Sequence, residues 1–272
     1  MKTTVVVPWH NRTQLDAFID AWKVSFSDER ILFQQDRDKS GCALTKNAGI
    51  RRAIDDGAEV IIVLDDDCFP EQGQTLDSFI RDHNAALKPQ PVEMFEVVTD
   101  PPSRGTPYFN RTITMPVAAS MGFWSEIGDY DAPSQLVHGA RHPMTFSRKA
   151  MHGRYFPLCG MNLAFRATEW PWCQFVNVPR FDDIWQGFLW QRKAFAQGQC
   201  FNLAGPIVRH SRQSNVWANL RDEALNLERN ETIWTDIHKL PMLEHGEFMA
   251  ALKPSSPASS GQHPDIVSDP SQ

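Results

Sequence analysis

Three consecutive carboxylates, Asp65-Asp66-Asp67, follow directly on the apolar run Val60-Ile61-Ile62-Val63-Leu64. Adjacent carboxylates repel one another, so a triplet fixed at one point calls for a cation. Hard oxygen ligands suit Mg²⁺ or Mn²⁺, which can bridge to phosphate oxygens. The preceding run is short, largely β-branched and bounded by polar residues, the pattern of a buried central strand. Ligands of open α/β sheets sit at the carboxyl ends of such strands. The triplet therefore reads as a cation-assisted phosphate site, with a solvated acidic turn as the alternative.

The elements that must position it alternate. Thr3 to Val7 reads as a strand ended by Pro8, and Arg30 to Gln34 as a second, running into Gln35-Asp36-Arg37-Asp38. Leu15, Phe18, Ile19, Trp22 and Phe26 recur at helical spacing, with Asn11 or Thr13 available as a cap. Leu44, Ala48 and Ile54 mark a second helix that stops near Gly57, and Leu76 to Leu87 a third. Strands separated by helices predict a mostly parallel, Rossmann-like sheet with helices on both faces, in a single large α/β domain. The polar clusters that end the three strands should line one sheet edge. Val92 to Val98 could add a strand, Pro101 to Arg111 reads as a loop, Asp182 to Trp190 as a helix, Phe201 to Val208 as a last strand and Trp217 to Trp234 as helical. Residues beyond Pro254 lack apolar groups to bury and read as a disordered tail, 254–272.

Composition bounds the partners. With 272 residues, 42% hydrophobic and 22% charged, the chain is ordinary globular material. A net charge of −6 argues against a general nucleic-acid binder. The five cysteines have no C-x-x-C spacing, so reduced thiols in a cytoplasmic protein are expected. No apolar stretch approaches the ~20 residues of a membrane span.

The Asp triplet after two nucleotide-type βα units resembles the GT-A glycosyltransferase fold. Five ordered blocks then resemble the reversibly glycosylated polypeptide family, whose members are UDP-arabinopyranose mutases. They are Asp65-Asp66-Asp67-Cys68-Phe69; Arg104-Gly105-Thr106-Pro107-Tyr108-Phe109-Asn110-Arg111; Asp129 through Val137; Phe156 through Phe165; and His210-Ser211 with Ser214-Asn215 and Asn219-Leu220.

The resemblance implies a catalytic domain over 1–253, its nucleotide-binding half in 1–100 and its sugar-binding half in 101–253. It implies a UDP-sugar substrate with Mn²⁺ or Mg²⁺, the metal held by Asp65, Asp67 and His210. Pro8, His10, Asn11, Asp36, Lys46 and Asn47 fall at the nucleotide end, with Asp65 and Asp66 beside them. Gly160, Met161, Asn162 and Trp185 fall at the sugar. Arg104 is implied as the residue that carries a sugar reversibly, with Arg111 also needed, and Asp182 or Asp183 as a group that binds sugar hydroxyls or shuttles a proton.

Simpler readings stay open for each: a surface histidine, an exposed helix lysine, a tight turn at Gly160, helix-capping acids, and arginines that clamp a diphosphate or are merely solvated. The rival activity is transfer of a pentose or hexose to an external acceptor, a glycan or a modified nucleobase. A self-glycosylating scaffold ranks last, and a homo-oligomer stays open.

Overall fold

The computed structural model describes residues 1–239 except 98, 108, 140, 142–144 and 212–214. The tail expected at 254–272 therefore lies outside the described residues. The first half runs β1 (Thr3–Trp9), α1 (Arg12–Trp22), β2 (Ile31–Gln35), α2 (Cys42–Asp55), β3 (Val60–Leu64), β4 (Cys68–Phe69), α3 (Leu76–Ala86) and β5 (Gln90–Glu93). The second runs β6 (Thr112–Met115), β7 (Val117–Met121), β8 (Trp124–Glu126), α4 (Ala132–His138), β9 (Ala150–Met151), β10 (Asn162–Arg166), α5 (Asp182–Ala196), β11 (Cys200–Asn202), β12 (Val208–His210) and α6 (Val216–Lys239).

The main sheet has the order β2-β1-β3-β10-β7-β11-β9. Pairing is parallel between β1 and both β2 and β3, and between β7 and β11, whereas β10 and β9 run against their neighbours. The sheet is thus mostly parallel, as its central run predicts. Every residue of β3 is fully buried, which requires cover on both faces. Register puts Val6, Val63, Leu163 and Met121 on one face, where Gly49 of α2 meets the Val6 side chain. Trp190 of α5 packs edge-on to Phe165 and Phe201 of that face. The other face receives α3, whose His83 bonds Ser120 and Asn162, and α1, whose Trp22 packs on Phe79 of α3. Helices on both faces follow.

Three details differ from the sequence reading. β1 continues through Pro8 to Trp9, because its β3 ladder ends at Val6–Val63 and the missing proline N–H leaves no gap. The strand expected over Val92–Val98 is instead β5, which pairs only with β6 outside the main sheet. The expected last strand, Phe201–Val208, is two strands in two sheets. Between them Gly205 lies against the Met121–Gly122 backbone, where a Cβ would sit 2.8 Å from the Gly122 nitrogen. The following Pro206 cannot donate to a ladder. β12 then pairs with β4 and β8, which brings His210 beside the segment after β3.

A buried polar network pins the two halves. His83 Nδ1 and Nε2 lie 3.1 Å from Ser120 Oγ and 2.8 Å from Asn162 Oδ1, and Asn162 Nδ2 donates to the carbonyls of Phe123 and Pro206. Burial pushes the imidazole down from its ordinary 6.5 to about 4, although the Asn162 bond opposes it. Between those values the unfolded chain takes up a proton that the native protein refuses, so this contribution is fully present above 6.5 and falls with pH toward 4. It amounts to about 3 kcal/mol. Asp183 titrates with the opposite sign, since its folded carboxyl is held protonated up to about 7. The comparison of two proteins isolates His83: in urea melts, His83→Gln should flatten the rise of stability with pH across this window. An unchanged slope would contradict the assignment.

Candidate active site

The segment after β3 is held by the backbone on two sides. Asp65 N–H donates to the Met161 carbonyl at 3.0 Å, and Cys68 N–H to the Asp65 carbonyl at 3.0 Å. The carboxylates then diverge to different partners. Asp65 Oδ1 lies 2.9 Å from Lys46 Nζ, which also donates to the Gly160 carbonyl at 3.2 Å. Lys46 is only 3% exposed, so it is no surface lysine of α2. Burial alone would discharge it, but Asp65, with Cys42, Asp182 and Asp183 beyond, holds it firmly protonated. Burial conversely drives the Asp65 carboxyl up, and the Lys46 ammonium opposes this.

Asp67 faces His210, whose Nε2 lies 3.7 Å from Asp67 Oδ2. The other ring nitrogen, Nδ1, lies 3.0 Å from the Ile127 carbonyl, which can only accept. That bond places the Nδ1 proton and leaves Nε2 directed at Asp67. Burial works to lower the His210 pKa, yet the bond to Asp67 and its charge raise it overall.

Asp67 and His210 suit a divalent cation that takes further oxygens from a bound diphosphate, since Mg²⁺-type sites need only one or two carboxylates from protein. Among the described residues no three His, Cys, Asp or Glu side chains make a ready cage.

Across the cleft, α5 opens with Asp182 and Asp183. Asp183 Oδ2 accepts from the Gly160 N–H at 2.7 Å. Burial, reinforced by the neighbouring Asp182, raises the Asp183 carboxyl to about 7. Asp182 is raised too, by burial, with Lys46 opposing. Gly160 is required here, because a Cβ would meet the Phe175 ring at 2.4 Å and Asp183 Cβ at 3.2 Å.

These groups line one cleft of about 660 Å³, together with Met161, Asp129, Tyr130, Arg180 and Trp234. Other residues expected at the site are occupied elsewhere. Asn47 exchanges two hydrogen bonds with the Phe175 backbone, at 2.8 and 2.9 Å. Asn162 belongs to the His83 network. Trp185 is buried against Phe181 and donates to Asn230 Oδ1 at 3.0 Å. The Asn11 side chain caps α1, and Asp36 accepts from the Ser40 and Gly41 N–H groups. Pro8, His10, Asn11 and Asp36 lie at the same sheet edge but are not among the residues that line the cleft. Asp66 is buried and its carbonyl accepts from Gln14 Nε2 at 3.0 Å. Arg104 is exposed, Arg111 Nε donates to the Pro107 carbonyl at 2.7 Å, and neither lines the cleft.

Sequence reasoning assigned no role to Asp129, Arg180 or Glu223. Asp129 Oδ2 accepts from the Cys159 thiol at 3.3 Å. Its only sequence signal was membership of the Asp129–Val137 block.

A mostly parallel sheet flanked by helices, with an acidic cleft where β3 and β10 meet, defines a Rossmann-like α/β domain consistent with the GT-A fold. The model of the family "Reversibly glycosylated polypeptide" matches residues 57–244, and the chain belongs to that family. It is 32% identical over 181 residues to probable UDP-arabinopyranose mutase 1 of Pisum sativum, covering 60% of this chain and 50% of the relative. UDP-arabinopyranose mutases 3 and 1 of Arabidopsis thaliana are 31% and 30% identical, each over 60% of this chain and 50% and 51% of their own. The chain therefore spans about half the length of the curated relatives it matches.

Proposed function

We propose that this chain interconverts UDP-arabinopyranose and UDP-arabinofuranose, residues 1–100 supplying the nucleotide half and 101–253 the sugar half. One observation carries the reading: the Asp67–His210 pair and the Asp182–Asp183 pair share a single cleft in a member of this family. The names of its relatives support the substrate class.

Exchange of ring size requires the bond between the anomeric carbon and UDP to break and re-form. The oxygen that leaves the ring gains a proton, and the oxygen that closes the new ring loses one. Two partly buried carboxyls, one of them pushed up to about 7, can give and take those protons near neutrality. Lys46 keeps Asp65 in place through their 2.9 Å contact. Asp67 and His210 are the residues that would hold Mn²⁺ or Mg²⁺, an ion that neutralises charge on departing UDP. Phe181, Ile184 and Phe188 supply apolar wall to the cleft. The five thiols are free, which supports a reducing, cytoplasmic setting.

Reversible sugar attachment at Arg104 belongs to the same proposal, with Arg111 beside it. A guanidinium stays protonated and is a poor nucleophile, so a clamp on the diphosphate is the other role open to the pair. The position of both arginines outside the cleft lining favours a second reading, transfer of the sugar to an external acceptor.

Incubation with UDP-arabinofuranose and Mn²⁺, without acceptor, separates the two. UDP-arabinopyranose should accumulate and EDTA should suppress it. Unchanged substrate, or release of UDP and free arabinose alone, would replace the mutase with the transferase.

A further inference from the structure

Acids outnumber cationic side chains in the cleft lining by eight to three, yet the proposed substrate is an anion. Among the described lining residues the cationic side chains are Lys46, His210 and Arg180. Lys46 is committed to Asp65, and His210 to Asp67. Arg180 is differently placed. It stands two residues before Asp182, with its backbone in the left-handed region at φ 66°. A residue with a Cβ is held there only when its surroundings impose it.

Its side chain is tied into a brace with the buried Glu223. Arg180 Nε donates to Glu223 Oε1 of α6 at 3.0 Å, and Glu223 Oε2 accepts from the Ala132 N–H at the start of α4 at 2.7 Å. Glu223 is 2% exposed, so its carboxyl serves these two partners rather than solvent. The arginine itself remains about a third open. Because Nε is the atom engaged, the two terminal amino groups are carried forward as a fork. Among the described residues they make no hydrogen bond, and no carboxylate but Glu223 lies within ion-pair reach of Arg180.

Resting on the nucleotide-sugar reading of the cleft, we infer that Arg180, oriented by Glu223, binds the diphosphate of the nucleotide sugar through its terminal amino groups. An oriented guanidinium presents paired donors that match two phosphate oxygens. The brace also explains why an acid is buried at position 223 of an otherwise mixed-charge helix. Glu223 is a positioning residue, linking α4, α6 and the segment before α5 around the anion.

The test is titration of UDP and of uridine into the full chain, with and without Mn²⁺. Arg180→Gln should weaken UDP about tenfold or more while leaving uridine within about twofold, since only UDP carries the phosphates. Arg180→Lys should recover part of the loss, because an ammonium keeps the charge but not the fork. Glu223→Gln should give a smaller loss of UDP alone. Undiminished UDP affinity in Arg180→Gln, or equal loss of uridine and UDP, would overturn the inference and leave the cleft reading intact. Failure of the unsubstituted protein to bind UDP at all would instead overturn the cleft reading.

Discussion

Asp67→Ala should lower turnover of UDP-arabinofuranose by about 10³-fold, the loss expected when several kcal/mol of charge stabilisation on the leaving group is removed. The effect is large because Asp67 is the carboxylate that faces His210. Asp65 is engaged by Lys46, and His210 alone is a neutral donor once it binds an ion. The variant should also lose the difference between rates in Mn²⁺ and in EDTA, while its melting temperature changes little. Steady-state rates in both buffers check this. A variant that stays active and remains metal-dependent would move the cation to another site.

Lys46→Met should be strongly destabilising. It leaves Asp65 without its counter-charge inside the protein, and breaking one side of such a pair costs about 3–5 kcal/mol. Asp65 keeps 23% of its side chain exposed, so the lower end applies, about 3 kcal/mol and a melting midpoint lower by about 10 °C. The double variant Lys46→Met with Asp65→Asn should regain most of that stability, because it removes the orphaned charge as well. Thermal melts of the three proteins in EDTA give the answer. A single variant as stable as the parent would mean that water, not Lys46, compensates Asp65.

The parts legible in the sequence were those written in local pattern. The β3 run and its carboxylates, the first three helices and the α5 start each occupy a contiguous stretch whose spacing states its environment. Lys46 was not legible in that way. In α2 it reads as an ordinary helix lysine, and only the fold brings Asp65, Asp182 and Asp183 around it. The brace was hidden likewise, since Arg180 and Glu223 are 43 positions apart. Asn47 and Asn162 show another contribution the sequence pattern did not record: each side chain satisfies a buried group from a distant segment, the Phe175 carbonyl and the His83 imidazole. The break between β11 and β12 also depends on a distant glycine contact that no local propensity records.

The central claim is that the cleft behind the Asp triplet holds the nucleotide sugar together with a cation. Diffraction from crystals grown with UDP and Mn²⁺, measured for the anomalous signal of manganese, tests it most directly. One manganese peak is expected within coordination reach of both Asp67 and His210, with UDP phosphates between it and Arg180. Manganese bound away from Asp67, or UDP bound outside the cleft, would contradict it.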